Sequence, residues 1–185
     1  MYKRQVYNEL KAEGKYSKRR FPFPKVGAVI EVPSAVYQIR RIMAHVDFVS
    51  IGSNDLTQYM FAADRNNNRV SYLYNSLHPA TLLAFTEICD AGQAAGKPVH
   101  ICGEIAANPL ATMILVSMGM EGFSMNVRSI PVVRKIISKM EYKRASEITG
   151  KVLSCDDSHE VLSYLKGLLQ ELGLIDLIDP MSADE

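Results

Sequence analysis

Four short apolar runs, each closed by polar residues and each followed by a helical stripe, constrain this chain more than any other feature. The nearly unbroken run at 26–32 predicts a strand buried on both faces. Pro33 suits the first position of a helix, and Ala35, Val36, Ile39, Ile42 and Met43 continue a helical stripe. A second strand at 47–53 leads into a short helix near 55–63. After a polar loop, a helix opens at Pro79, carries Ala84, Ile88, Ala91 and Ala95 on one face, and stops at Gly96. A third strand at 98–103 precedes a helix near 109–118. A fourth at 122–126 precedes the helix of Val132, Val133, Ile136 and Ile137. Strands alternating with helices, with no hairpin signal between them, predict four parallel β/α units.

The flanks read differently. Residues 5–15 have the character of the end of a charged helix, which the FPFP run at 21–24 breaks. Near the other end Asp157 and Glu160 fit a capping box, and Val161, Leu165, Leu168, Leu169 and Leu172 form an apolar face before Gly173. The expected division is therefore a helix end and linker at 1–24, the β/α units at 25–140 and a helical tail at 141–185. With 185 residues, 48% of them hydrophobic and 22% charged, the chain can bury one core. Its formal net charge of +1 argues against a polyanion partner. The cluster of Lys15, Lys18, Arg19 and Arg20 is local and reads as a solvated linker, so no nucleic acid is expected. No apolar run approaches the roughly 18 residues that a membrane span needs, and no apolar stretch follows the basic N-terminal residues as in a secretory signal. Cys89, Cys102 and Cys155 are odd in number and lack metal-ligand spacing, which suits a reducing cytoplasm.

The polar residues that close the strands carry the functional signal. Glu31 closes the first, Asn54 and Asp55 follow the second, Cys102 closes the third and Asn126 the fourth. Parallel β/α folds place their chemistry at this end of the strands, in closed barrels and open sheets alike. Each residue has a plain structural reading: Glu31 a salt-bridged carboxylate, Asp55 a helix cap, Cys102 a small apolar filler. Their coincidence at one rim favours function. Glu31 and Asp55 lie 24 residues apart, as do Cys102 and Asn126, whereas Asp55 and Cys102 are separated by 47. A β/α unit averages roughly 30 residues, so the long unit holds an insertion around 64–78. Asp64, Arg65, Asn66, Asn67, Asn68 and Arg69 lie in it, where loops commonly hold substrate.

The blocks GAVIEVPSA, DFVSIGSNDLTQY, AADRNNNRVSYLY, GKPVHICGEIA and GFSMN, in this order and spacing, resemble the last four strand ends of Enzyme I of the phosphoenolpyruvate-dependent phosphotransferase system. The resemblance covers about residues 22–140 and extends to the tail. SIGSNDLTQY, SLHP and SMN further resemble its nitrogen-regulatory form. It implies an α/β fold, the C-terminal half of a (β/α)8 TIM barrel, with a helical tail added. It also implies roles. Glu31 and Asp55 match the carboxylates that hold Mg²⁺, a hard cation that takes one or two carboxylates with substrate oxygens and water. Asn54 and Arg65 match residues that bind the substrate phosphate. Cys102 matches the acid that protonates C3 of the enolate, and an ordinary thiol holds its proton at neutral pH. Cys89 falls inside a helix and reads as core, and Cys155 reads as surface.

The resemblance implies an enzyme that moves phosphate from phosphoenolpyruvate to a histidine of its own and on to a small carrier protein, leaving pyruvate. It implies a cytoplasmic homodimer joined through the barrel. The phosphorylatable histidine lies outside this chain by that reading, because His45, His78, His100 and His159 lack glycine-rich Ser-His surroundings. So do the arginines of the earlier strands and a sensory GAF domain. The chain alone is then expected to bind Mg²⁺ or phosphoenolpyruvate weakly at best, and to self-associate through open sheet edges. His100 shares a strand face with Cys102 and reads as a core histidine. After CGE the family usually shows a Met-Ala-Gly-Asp-like run; here Ile105, Ala106, Ala107 and Asn108 stand instead, and Asn108 still suits a helix cap. Two other readings stay open. Pyruvate phosphate dikinase and phosphoenolpyruvate synthase share NDLTQ and CGE, and a truncated, non-catalytic association module would need no chemistry.

Overall fold

Each apolar run becomes a strand, and the strands pair in the order in which they occur. In the computed structural model, which describes residues 24–178 together with Gln5, Asn8, Glu9, Lys11 and Ala12, four strands form one sheet. They are β1 (Gly27–Ile30), β2 (Phe48–Gly52), β3 (Val99–Cys102) and β4 (Gly122–Ser124), each parallel to its neighbour. Ile30 stands beside Ile51, Ile51 beside Ile101 and Ile101 beside Phe123. With the helices that follow them, these are four consecutive β/α units, consistent with the C-terminal half of an eight-unit barrel. The expected helix end at 5–15 is represented by the five N-terminal residues, which are helical. The expected break at 21–24 lies outside the described residues except for Pro24.

The helices are α1 (Pro33–Tyr37), α2 (Ile39–Met43), α3 (Ser53–Phe61), α4 (Pro79–Ala95), α5 (Pro109–Ser117) and α6 (Ile130–Lys139). Local chemistry sets their ends. Proline opens α1, α4 and α5 where its missing N–H is not needed. His78 and Asn108 cap α4 and α5 by accepting the N–H groups of Ala80 and Leu110. Gly96, at φ +60°, closes α4 in the left-handed conformation. The stripe from Ala35 to Met43 is one element in the sequence reading and two in the structure, because the backbone turns at Gln38 between α1 and α2.

Strand period two sorts the sheet into two faces. Ile30, Val49, Ile51, Val99 and Ile101 point to the helices and are buried, in one core with Phe85, Ile88, Met113 and Ile114. On the other face Val29 is 53% exposed, Phe48, Ser50, His100 and Cys102 are half-buried, and Ser124 is exposed. The first strand, expected to be buried on both faces, is covered within the described residues on one face only. Helices cover only one side of it, and nothing among the described residues covers the other.

The tail packs on the same core. Helix α7 (Ala145–Leu153), whose start has no side-chain cap, and α8 (Ser158–Glu171) both contact α5. This explains α5, in which Leu110 to Leu115 are all buried: it lies between the sheet layer and the tail, so every side of it is inward. Asp157 caps α8 by accepting the N–H of Glu160 at 2.9 Å. The Glu160 carboxylate returns to the N–H of Asp156 at 3.1 Å, one residue before the position a standard capping box would use. Cys155, expected at the surface, is 8% exposed. It sits in the corner between α7 and α8 with its thiol donating to the Lys151 carbonyl, and the sharp turn between the helices folds it inward.

Candidate active site at the carboxyl ends of the strands

The parallel register brings Glu31, Asn54, Asp55 and Cys102 to one end of the sheet. Glu31 follows β1 directly and leans over the last residue of β2: a Cβ on Gly52 would stand 2.9 Å from the Glu31 Cβ and 3.2 Å from its Oε2. Glycine at position 52 is thus what lets this carboxylate lie across the strand end. Asp55 and Asn54 occupy the first turn of α3, where an acidic side chain also complements the helix dipole. Among the described residues neither the Glu31 nor the Asp55 carboxylate accepts a hydrogen bond or forms an ion pair. Both are exposed. Two uncommitted carboxylates at neighbouring strand ends offer the hard oxygens that Mg²⁺ prefers, with room for water and substrate to complete the shell. Among the described residues no group of three or more His, Cys, Asp or Glu side chains is assembled to hold a metal.

The ends of β2 and β3 are fastened together. The Ser53 hydroxyl, buried at 1% exposure, donates to the Cys102 carbonyl at 2.7 Å. The Cys102 thiol donates to the Ile51 carbonyl at 3.4 Å, so it is half-buried at the rim with its hydrogen engaged by the backbone. Gly103 follows at φ +111°, and a Cβ there would meet Ser53 Oγ at 2.2 Å and Asn54 Oδ1 at 2.8 Å. Both the backbone conformation and the space demand glycine. His100, one pleat below Cys102, packs beside Phe48 with ring centroids 5.5 Å apart and leans over Gly122. It fills the bare face of the sheet and does not touch Cys102 through any hydrogen bond.

The insertion at 64–78 folds over this end. Asp64 and Asn67 tighten it with turns onto the N–H groups of Asn66 and Arg69. Arg65 reaches the carboxylate of Glu104 at 3.2 Å. Tyr74 places its hydroxyl 3.4 Å from Asn54 Oδ1, which also accepts the N–H of Glu104 at 3.2 Å. Burial, and next the negative charge of Glu104, push the Tyr74 phenol above its ordinary value, with Arg65 opposing. It therefore keeps its proton and can donate. Tyr74, Glu104 and Ser53 are site residues that sequence reasoning missed. Tyr74 and Glu104 lie within the recognisable blocks, but separations of 20 residues from Tyr74 to Asn54 and 39 from Arg65 to Glu104 gave no sign of contact. Asn126 does not join the group through any hydrogen bond; its Oδ1 accepts from the N–H and hydroxyl of Ser129, capping a turn after β4.

A family model described as PEP-utilising enzyme, PEP-binding domain, matches residues 2–142. The chain is 36% identical over 157 residues to the "Phosphoenolpyruvate-dependent phosphotransferase system" protein of Escherichia coli strain K12, covering 85% of this chain and 21% of the relative. A "Phosphoenolpyruvate-protein phosphotransferase" of Haemophilus influenzae is 37% identical over 170 residues, 91% of this chain and 30% of its own length. That of Geobacillus stearothermophilus is 42% identical over 142 residues, 77% and 25% respectively. The chain thus spans between 21% and 30% of the length of these relatives. No described helix is long and apolar enough to cross a membrane.

Proposed function

Because this chain belongs to the PEP-utilising enzymes, as part of their PEP-binding domain, we propose that it contributes the substrate-handling rim of a phosphoenolpyruvate-protein phosphotransferase of the nitrogen-regulatory kind. In that reading the phosphate passes from phosphoenolpyruvate to a histidine of the same enzyme and then to a small carrier protein, in the cytoplasm. The observation that carries it is the convergence of Glu31, Asn54, Asp55 and Cys102 at adjacent ends of β1, β2 and β3. Glu31 and Asp55 would hold Mg²⁺, which when bound supplies charge neutralisation for the phosphoryl oxygens. Asn54 would donate from its amide, and Arg65 from its guanidinium, to oxygens of the phosphate. As the P–O bond breaks, its electron pair stays on the enol oxygen and the phosphorus bonds to the acceptor nitrogen. The enolate then takes the Cys102 proton at C3, leaving pyruvate and a thiolate.

Names of relatives support a phosphotransferase over a dikinase or a synthase. SIGSNDLTQY, SLHP and SMN support the nitrogen-regulatory kind. A homodimer is part of the same reading. The test is a titration with Mg²⁺ and phosphoenolpyruvate, comparing wild type with Asp55→Ala. Weak binding that Asp55→Ala abolishes is expected, and binding by neither protein favours the non-catalytic association module. In a phosphotransferase containing this segment, Cys102→Ser is expected to abolish pyruvate formation while leaving Mg²⁺ binding intact. Normal turnover would remove the proton-donor role.

A further inference from the structure

Asn54 Oδ1 is the point at which three segments of the rim meet. It accepts from the backbone N–H of Glu104 at 3.2 Å and from the Tyr74 hydroxyl at 3.4 Å. A backbone N–H can only donate, so the atom that faces it is the amide oxygen, and the orientation of the Asn54 side chain is decided. With the oxygen doubly engaged, the NH₂ group is the part of this side chain left to meet an anion. Arg65 lies near the Tyr74 phenol, where its positive charge opposes the rise in the phenol's pKa, and its guanidinium pairs with the Glu104 carboxylate at 3.2 Å. Three hydrogen bonds thus link Tyr74, Asn54, Glu104 and Arg65, and the charge of Arg65 beside the phenol completes the ring. At 3.4 Å its contact with Asn54 is long for an O–H···O bond, as hydrogen bonds at such sites commonly are before substrate tightens them.

We propose that Tyr74 is a positioning residue for phosphate recognition: its hydroxyl holds the Asn54 amide oxygen inward, next to the Arg65 that Glu104 anchors, so that both present donors to the same oxygens. The inference rests on the reading that Asn54 and Arg65 meet the substrate phosphate, and deepens it by assigning their alignment to the inserted loop. Glu104 serves the same ring from the β3 side. Its N–H is geometrically fixed, and its carboxylate occupies Arg65 until a stronger anion arrives. Among the described residues Glu31 and Asp55, read above as Mg²⁺ carboxylates, have no hydrogen bond into this ring.

The test is Tyr74→Phe, compared with wild type by ¹H–¹⁵N NMR titration with phosphoenolpyruvate in saturating Mg²⁺, with Mg²⁺ alone, and by thermal melting. Loss of one neutral hydrogen bond predicts about five- to ten-fold weaker phosphoenolpyruvate binding. Mg²⁺ affinity should be unchanged, and the melting temperature should stay within about 2 °C. Equal phosphoenolpyruvate affinity in the two proteins would overturn the inference alone. A variant that does not fold, or that loses Mg²⁺ affinity in step, would make Tyr74 merely structural and also overturn it. Wild type that binds no phosphoenolpyruvate would instead overturn the reading beneath it.

Discussion

The two faces of the sheet are built from alternate residues of the same strands and have opposite characters. On the helix-covered face Ile30, Val49, Ile51 and Ile101 are fully buried. On the other, Val29 is 53% exposed, and Ser50, His100 and Cys102 are half-buried polar or polarisable groups. Stability and chemistry are thus separated by a single pleat. The covered face is held by area removed from water, which is non-directional. The rim at the end of the bare face is held by hydrogen bonds of specific geometry, from Ser53 to Cys102, from Cys102 to Ile51 and from Glu104 to Asn54. Substitutions should therefore fall into two classes according to the face they strike.

The largest effect is expected where the comparison is most direct. Ile101→Ala, in a central strand on the covered face, should destabilise by about 2–5 kcal/mol, whereas Val29→Ala on the bare face should cost less than about 0.5 kcal/mol. Urea unfolding of the two variants measures both, and equal losses would break the distinction. The second effect is alkaline. Burial, helped by Asp90, pushes the Cys89 thiol from 9.0 up to about 12 in α4 on the covered side. The folded value lies above the unfolded one, so the protein keeps this contribution in full below about pH 9 and loses it as pH rises toward 12, at about 1.4 kcal/mol per pH unit. Cys89→Ala should flatten the fall in urea midpoint between about pH 8 and about pH 10.5, and an unchanged slope would show that Cys89 is not the group responsible.

Smaller effects sharpen the contrast. Asp157→Ala removes the cap of α8 and should cost about 1 kcal/mol without changing Mg²⁺ affinity, because the tail helices pack on α5 and α4 and the carboxylates lie at the strand ends. Calorimetric melting and a Mg²⁺ titration of the variant test both statements. Cys102→Ser should change stability by less than about 0.5 kcal/mol, since a hydroxyl can make the same bond to the Ile51 carbonyl. A large loss would move Cys102 from the chemical face to the structural one.

The strand and helix order, the proline and glycine ends of α4, and the cap at Asp157 were legible in the sequence because each depends on contacts within a few residues. The gathering of Glu31, Asp55 and Cys102 at one end was legible too, since parallel topology alone sends every strand end the same way. Less legible was Gln38 splitting the first helix, because a continuous apolar stripe is compatible with one helix or two. Helix α7 was not read as a separate element because no side chain caps its start at Arg144 as Asp157 caps α8, and Cys155 was misjudged because burial at a helix–helix corner depends on the angle of the turn.

Sequence by itself determined the parallel β/α order and the identity of the residues at the strand ends, for both follow from periodicity and chain direction. Only the tertiary structure decided which face of β1 stays bare, why α5 is apolar on every side, and that Tyr74 and Glu104 meet at Asn54. The physical reason is range. Periodicity and capping act over a turn or a pleat, whereas burial and the Asn54 ring depend on segments dozens of residues apart being brought within hydrogen-bonding distance.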